Sequence, residues 1–287
     1  MSKFLQITDI HIHGEYDGRF GVKEHFEQIL AETGDQEFEG VILTGDLVDD
    51  KCEYNPEVAT IEDYTYLFDR IVNTFGPETP LLVIPGNHDN RKNLDIAYEA
   101  YLSRGYKFKD GITIKTFGGS FEEPGRKFVI MDVPMGTNSY GHYKLVGMDN
   151  GHNGIPHKAL LELIDVEGER SHDSSYFLFV HKPLIKPFHR FMNQPKYSIN
   201  EDEAKTFLMA SNEIGFQTIF CGHYHCHSID TWGRWIQYTA PSSQGQIDPF
   251  SAECMPSGNY PGYAIIQLDA VIRSQFKYII PGVTNAK

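Results

Sequence analysis

The stretch "LLVIPGNHD", residues 81–89, joins a short apolar run to a glycine and then to three polar residues. An apolar run of about four to eight residues that ends in Pro and Gly is typical of a buried strand followed by a turn. The stretches "KFLQITDIH" (3–11) and "GVILTGDLVD" (40–49) repeat this order of apolar and then polar residues. In open sheets of parallel strands, ligands bind at the carboxyl ends of the strands. We therefore expect these polar residues to share one site.

Helical patterns separate the predicted strands. Apolar residues recur at helical spacing in "VKEHFEQILAE" (22–32) and "IEDYTYLFDRIVNTF" (61–75). Strands that alternate with helices pair in parallel through right-handed crossovers. A helix is also predicted at 157–164, and another at 201–213 with Asn200 as its N-cap. Further strands are predicted at 111–117, 127–133, 175–180, 218–221, 234–239, 263–268 and 273–279.

This pattern predicts one α/β domain over residues 1–287, in which two mixed sheets pack together with helices outside. We expect the C-terminal strands to complete the second sheet. A Pro-rich loop at about 183–200 contains His189 and Arg190, and we expect it to cover the site and contact the substrate.

The composition limits the classes of partner. The formal net charge of −14 disfavours long nucleic acids and anionic membranes, because an acidic surface repels their phosphates. Four cysteines among 287 residues, with no apolar run long enough to span a membrane, predict a globular cytoplasmic protein with reduced thiols. A homodimer through the aromatic C-terminal strands stays open.

Two later histidine clusters follow predicted strands in the same way. His181 follows "FLFV" (177–180), and His223 and His225 follow "TIFCG" (218–222). Residues two apart on an extended chain point to the same side, which would bring His223 and His225 together, and likewise Asp9 and His11. Imidazole and carboxylate ligands without thiolate suit a catalytic zinc, manganese, iron or nickel ion. Cys221 and Cys226 are interpreted as packing residues.

The full set of motifs resembles that of the calcineurin-like metallophosphoesterases. The order of the motifs also matches that family, from residue 9 to residue 225: Asp9-x-His11, Gly45-Asp46-x-x-Asp49, Gly86-Asn87-His88-Asp89, a lone His181 and Gly222-His223-x-His225. The resemblance implies a four-layer α/β/β/α sandwich and a hydrolase of phosphoesters.

The resemblance also implies a role for each motif residue. Two metal ions would share Asp46, and a hydroxide between the ions would attack phosphorus. His88 would face the leaving group, oriented by Asp49, and both Asn87 and His88 would contact the substrate. The ions could be Mn, Fe, Zn, Ni or Co. Their ligands would be Asp9, His11, Asp46 and His225 for one ion, and Asp46, Asn87, His181 and His223 for the other.

Differences from the motifs of relatives narrow the range of expected substrates. Protein phosphatases of this family carry Arg where this chain has Asp50, and Glu where it has Asp89. The motif set instead resembles class III cyclic-nucleotide phosphodiesterases and glycerophosphodiesterases. Those relatives read His-His-Pro-Pro at the fourth motif, where Lys182 stands in "HKPL" (181–184). We expect hydrolysis of small phosphodiesters. A phosphomonoesterase, a nucleotide pyrophosphatase and a non-hydrolytic metal-binding scaffold are the alternatives.

Overall fold

The computed structural model describes residues 2–12, 21–49, 60–123, 125–135, 141–150, 154–167, 173–195, 197–269 and 271–280. Asp50, which stands where the protein phosphatases are expected to carry Arg, lies outside these residues. The helices are α1 (Val22–Thr33), α2 (Ile61–Phe75), α3 (Arg91–Leu102), α4 (His157–Glu167) and α5 (Glu201–Ala210), with 3-10 turns at Lys109–Gly111 and Ser211–Glu213.

The strands are β1 (Ser2–Ile7), β2 (Gly40–Thr44), β3 (Leu81–Ile84), β4 (Thr113–Phe117), β5 (Phe128–Pro134), β6 (His142–Met148), β7 (Ser174–Phe179), β8 (Thr218–Cys221), β9 (Ser228–Trp232), β10 (Trp235–Thr239), β11 (Gln246–Ile247), β12 (Pro256–Gly258), β13 (Gly262–Leu268) and β14 (Arg273–Tyr278). Most of them form two large mixed sheets, and β11 pairs with β12 in a separate hairpin.

The first sheet has the strand order β14-β13-β1-β2-β3. Its strands β1, β2 and β3 are parallel, as their alternation with helices predicts. The prediction that the C-terminal strands complete the second sheet is wrong for the last two strands. β13 runs antiparallel along the edge of β1 that β2 leaves open, and β14 runs antiparallel to β13. This pairing satisfies the backbone groups at that edge.

The second sheet has the order β4-β5-β6-β7-β8-β10-β9. Its centre is parallel, from β6 through β7 and β8 to β10, whereas both edges are antiparallel. The parallel centre makes β7 and β8 end at the same edge of this sheet. His181 and His223 follow these two strands.

Alternating side chains on the second sheet define the layers. Phe177 and Phe179 of β7 belong to the core shared with the first sheet and helices α1 to α3. Leu178, between them, belongs to a second core with residues of α4 and α5, such as Leu160 and Phe207. Since neighbouring strand residues face opposite sides, the second sheet lies between the first sheet and these two helices. This confirms the predicted α/β/β/α sandwich.

Polar caps start two helices beside the later site. Asn200 accepts hydrogen bonds from two backbone N–H groups of α5, as predicted. Helix α3, which the sequence analysis leaves out, begins directly after "GNHD", with the side chain of Asn90 accepting from Asn93 N at 3.1 Å. No helix in the described part of the chain is long and apolar enough to cross a membrane.

Candidate metal centre

The five polar clusters meet where the two sheets face each other. Three of them follow β1, β2 and β3 of the first sheet, and two follow β7 and β8 of the second. Side-chain nitrogen and oxygen atoms lie within 4.8 Å of one another in three groups of potential ligands, namely Asp9, His11 and His225; His11, Asp46 and His88; and Asp46, His181 and His223. Asn87 joins the last group, with Oδ1 3.2 Å from His181 Nε2. All seven predicted ligands thus lie together.

Most of these residues have an unusual backbone conformation. Asp9, His11, Asp46, His223 and His225 all lie in the left-handed region, with φ between 51° and 70°. Among the other non-glycine residues that the structure describes, only Asp110 has a positive φ. The prediction that an extended chain brings together Asp9 and His11, and likewise His223 and His225, is wrong in its geometry, because all four residues have a left-handed backbone. Asp9 and His11 nevertheless lie in the same group of potential ligands. Left-handed backbone conformations cost free energy and concentrate at functional sites.

The carboxylate of Asp46 lies between two sets of imidazoles. Its Oδ1 accepts a hydrogen bond from His88 N at 2.7 Å. Its Oδ2 lies 3.6 Å from His11 Nε2 and 3.2 Å from His181 Nε2. Burial would raise the pKa of Asp46, but the neighbouring histidines, His181 first, lower it well below its usual value. Asp46 is therefore ionised and positioned to be shared by two cations.

Hydrogen bonds on the outer side fix which nitrogen of His181 and His223 faces the site. His181 Nδ1 donates to Thr44 O at 2.8 Å, and His223 Nε2 donates to Tyr197 O at 2.8 Å. The facing atoms, His181 Nε2 and His223 Nδ1, are 3.2 Å apart. When both rings are neutral, two lone pairs face each other, which is unfavourable unless a proton or a metal ion lies nearby. This arrangement fits metal ligation, in which outer partners fix the tautomer.

The charges in the cluster also favour metal ligation. Burial would lower the pKa of His181, but the charge and hydrogen bond of Asp46, together with the charge of Asp9 and the Thr44 carbonyl, raise it to about 9. A cation bound by these donors would replace a proton on His181. For Asp9, burial would raise the pKa, but the charge and hydrogen bond of His225 lower it to about 2. The Asp9 carboxylate lies 3.5 Å from His225 Nε2.

His88 and Asp49 lie at the more open side of the cluster. The side chain of His88 is 30% exposed, against 6% for His11. The Nδ1 of His88 lies 2.9 Å from Asp49 Oδ1, which is the contact that the orienting role of Asp49 requires. Asp49 Oδ2 also lies 3.8 Å from His11 Nδ1, so the same carboxylate faces two rings. These roles stay predictions.

The match to known proteins decides the family. The model of the family described as Calcineurin-like phosphoesterase matches residues 2–227, which include all five motifs. The chain belongs to the calcineurin-like phosphoesterase family. The family resemblance drawn from the motifs is confirmed, and family members generally use two metal ions.

Two curated relatives of this chain have phosphodiesterase names. A protein of Arcobacter nitrofigilis, "Probable glycerophosphodiester phosphodiesterase GpdQ", is 27% identical over 212 residues, 72% of this chain and 64% of that protein. A "Probable cyclic nucleotide phosphodiesterase" of Fibrobacter succinogenes is 25% identical over 250 residues, 86% of this chain and 82% of that protein. The match thus covers less than two thirds of the Arcobacter relative.

Solved structures support the fold of this chain. A dimetal phosphatase from Danio rerio matches with a TM-score of 0.56 and 12% identity, over 96% of this chain and 95% of that one. The protein titled "GAP50 the anchor in the inner membrane complex of Plasmodium" matches with a TM-score of 0.55 and 12% identity, over 96% and 84%. At such identities, the likeness shows the fold alone.

Asp89 joins two loops of the site by hydrogen bonds. Its Oδ1 accepts from Leu47 N at 2.9 Å and Val48 N at 3.1 Å, and its Oδ2 accepts from Gly86 N at 2.7 Å. The hydroxyl of Tyr64 adds a further hydrogen bond to Oδ1 at 3.2 Å. Asp89 therefore fixes Asp46 relative to Asn87 by joining the loops that carry them.

Several residues that support the site were not predicted from the sequence. Arg91 Nε donates to Asp149 Oδ2 and Arg91 Nη2 to Asp149 Oδ1, each at 2.9 Å. Asn150 Oδ1 accepts from His181 N and Lys182 N, both at 2.9 Å. Gln244 N donates to Asp9 O at 3.0 Å. "LVGMDN" (145–150) carries the same signal as the five clusters, an apolar run and then polar residues.

The lysine at which the fourth motif departs from its relatives has a buried side chain. Lys182 is 3% exposed, and its charge is one of the causes that lower the pKa of His223, after burial and the charge of His181. Its charge therefore acts on the site. His189 on the following loop is buried, with its Nδ1 accepting from Met192 N at 3.2 Å. Arg190 is exposed and donates to Phe250 O at 3.4 Å. Substrate contact by His189 and Arg190 stays a prediction.

The cysteines that flank the fifth motif are not among the grouped donors in the described part of the chain. Cys221 is buried, and its Sγ lies 3.4 Å from Thr239 Oγ1. Burial raises the pKa of the Cys226 thiol to about 12. Both thiols are therefore protonated at neutral pH, which agrees with their interpretation as packing residues.

Substituting alanine for Gly86 is expected to remove bound metal. An added Cβ would lie 2.1 Å from Asp46 Oδ1 and 2.3 Å from Asp46 N, so one of the two loops must shift. Overpacking of this kind costs about 1–3 kcal/mol of stability. Elemental analysis and thermal unfolding measure the two effects. In the control Gly105→Ala, the added Cβ meets nothing within 4 Å. Its positive φ of 67° strains alanine and lowers stability, but metal content should stay at the wild-type level. A Gly86→Ala variant with full metal content would contradict this packing argument.

Proposed function

We propose that the chain is a metal-dependent phosphodiesterase that hydrolyses small phosphodiesters of the cyclic-nucleotide or glycerophosphodiester type. The observation that carries the proposal is the position of Asp46 Oδ2 between His11 and His181, with His88 beside them. The names of the two curated relatives support the diester class.

The donor set fits two transition-metal ions. Asp9, His11, Asp46 and His225 would hold one ion, and Asp46, Asn87, His181 and His223 the other. Bound together, such ions polarise a phosphoryl oxygen and activate water as a nucleophile at neutral pH. The donors are nitrogen and oxygen atoms, which Mn, Fe, Zn, Ni and Co all accept.

The chain's own groups would orient the ester and handle the proton. His88, with its Nδ1 held by Asp49, would present Nε2 to the leaving-group oxygen and donate a proton to it or hydrogen-bond to the phosphate. Asn87 would contribute its amide to the phosphate. The hydrogen bond from His88 N to Asp46 keeps the Asn87–His88 peptide against the shared carboxylate.

The electrostatics favour an ester that carries a single negative charge. The carboxylates of Asp9 and Asp46 offset only part of the charge of two divalent cations, so the loaded site would be positive inside a chain of net charge −14. A phosphomonoester or pyrophosphate is the alternative substrate within the family. A non-hydrolytic scaffold is the alternative of another class, and an intact Asn87–His88 pair disfavours it.

A substrate panel on manganese-loaded protein tests the proposal. We expect cyclic nucleotides or glycerophosphodiesters to turn over faster than phosphomonoesters and pyrophosphates, and we expect metal-free dialysis to abolish turnover. Faster monoester hydrolysis would favour the phosphomonoesterase. No hydrolysis of any ester by protein with two bound ions would favour the scaffold. The homodimer and the cytoplasmic location stay predictions.

A further inference from the structure

The loop at residues 183–200 contacts the fifth motif at two points. This loop joins β7 to α5. His223 Nε2 donates to Tyr197 O at 2.8 Å, and Tyr224 OH donates to Asn193 Oδ1 at 2.8 Å. The partners are 26 and 31 positions apart in sequence. The loop is therefore attached both to a predicted metal ligand and to the residue next to that ligand.

The backbone on both sides of Tyr224 has an unfavourable conformation. His223 and His225 have φ values of 70° and 51°, in the left-handed region. Such conformations persist only where the surrounding structure fixes them. The side chain of Tyr224 is 1% exposed, and its ring packs edge-on against the ring of His189, with centroids 5.5 Å apart. The buried and hydrogen-bonded tyrosine therefore anchors the motif between its two histidines.

Asn193 fixes the fold of the loop as well as the tyrosine. Its Nδ2 donates to Pro187 O at 2.7 Å, and its backbone N–H donates to His189 O at 3.1 Å. The Nδ1 of His189 accepts from Met192 N at 3.2 Å. These bonds within the loop hold the Asn193 amide in place, so that its Oδ1 is a fixed acceptor for Tyr224 OH.

Both ends of the loop are held by neighbouring elements. Gln237 on β10 is fully buried, and its Oε1 accepts from Leu184 N at 2.8 Å and from Ile185 N at 2.9 Å. The Nε2 of Gln237 donates to Ile185 O at 2.6 Å. At the other end, Asn200 caps α5. With its ends held in this way, the middle of the loop is placed by its contact with Tyr224.

The donors of the other predicted ion have different supports. Ser242 Oγ and Gln244 N donate to Asp9 O, at 3.1 Å and 3.0 Å. Ile247 N donates to His225 O at 2.9 Å. None of these three supporting residues belongs to the loop at residues 183–200. A change in the loop is therefore expected to act on the ion that His223 would bind.

We propose that Tyr224 and Asn193 are positioning residues for this second metal ion. Their hydrogen bond keeps the loop where Tyr197 O orients the imidazole of His223. The Nδ1 of His223 then faces the other donors and lies 3.2 Å from His181 Nε2. The assignment rests on the two-ion centre of the proposed function, but not on which ester is hydrolysed.

Titration of the metal-free protein with Co²⁺, followed by calorimetry, tests this assignment, because nitrogen and oxygen donors accept that ion. We expect two binding events in the wild type. Tyr224→Phe keeps the ring and removes only the hydroxyl. It should weaken one event by about tenfold, since partners that orient a ligand contribute about 10–100-fold. The other event should be unchanged.

Two further variants control for the loss of a hydrogen bond. Asn193→Ala removes the acceptor in place of the donor and should weaken the same binding event. Tyr176→Phe removes another hydroxyl from the second sheet, the one that donates to Glu167 Oε2 at 2.6 Å, and should keep both Kd values. If Tyr224→Phe fails to fold, Asn193→Ala decides the outcome.

A double variant separates positioning from general destabilisation. His223→Ala should bind one ion, because it lacks the ligand through which the loop acts. Adding Tyr224→Phe to His223→Ala should leave the Kd of that remaining ion unchanged. Two residues that act through one another are not additive, whereas a general loss of stability would weaken the remaining ion further.

The outcomes separate this assignment from the proposed function. Wild-type Kd values in both Tyr224→Phe and Asn193→Ala, equal weakening of both ions, or further weakening in the His223→Ala background would overturn the assignment alone. A wild type that binds two ions but hydrolyses no diester would overturn the proposed function and leave the assignment in place. A wild type that binds a single ion would overturn the two-ion centre, and the assignment with it.

Discussion

Asp46→Asn is expected to lower kcat/KM for a small phosphodiester by more than about a hundredfold. Even partners that only orient metal ligands contribute about 10–100-fold to metal affinity or activity, and Asp46 Oδ2 lies within 3.6 Å of histidines of both donor sets. Asparagine keeps the size of the side chain but removes the charge that two cations would share. Elemental analysis of the purified variant should find less than the wild-type metal content.

Asp69→Asn is the matched control for this prediction. Asp69 is 44% exposed on α2 and pairs with Arg104, and it belongs to none of the groups of potential ligands in the described part of the chain. We expect the control to keep its metal content and its activity. Wild-type metal content and activity in Asp46→Asn would contradict the shared-ligand role.

His88→Ala is expected to lower turnover while both metal ions stay bound. General acid catalysis contributes about 10²–10⁴-fold, and the backbone N–H that holds Asp46 is unchanged by the substitution. The loss should be largest for a diester with an alkyl leaving group, which needs a proton. The loss should be much smaller for a diester whose leaving group is p-nitrophenolate, because this group leaves without taking up a proton.

Asp49→Asn separates positioning from chemistry. Asparagine keeps the length of the side chain but removes the charge that holds His88 Nδ1 at 2.9 Å. We expect a smaller loss than in His88→Ala, together with a shifted pH profile of kcat.

An equal loss in His88→Ala for both leaving groups would assign His88 to phosphate binding instead. A lost metal ion would make His88 a ligand, as its grouping with His11 and Asp46 permits.

The sequence predicts the site well because each ligand is tied to a local pattern. An apolar run followed by a polar cluster identifies the ends of β1, β2, β3, β7 and β8 independently of the rest of the fold. The helices α1 and α2 and the cap at Asn200 are equally local features. The family motifs then add which cluster residues act together.

The misassigned elements depend on contacts that are distant in sequence. Nothing in the sequence of β13 indicates that its partner is β1 and not the second sheet. Helix α3 begins with a charged residue, Arg91, which is buried and paired with Asp149 from a distant part of the chain. β6 contains Lys144 and Gly147 among its apolar residues, so its strand pattern is weak. Asp149 and Asn150, which follow β6, were therefore not predicted either.

The distance along the chain between the two halves of the metal centre has a consequence for synthesis and folding. His11 and His225 are 214 positions apart in sequence, and they come from different sheets. A nascent chain cannot bring them together until the second sheet has formed and docked on the first, and such long-range contacts form slowly. Each metal ion bound by both halves would stabilise the docked state but not the unfolded chain, by about 2.7 kcal/mol when the free ion is at 100 times its Kd. Metal supply would then set how long the finished molecule survives heat or proteolysis.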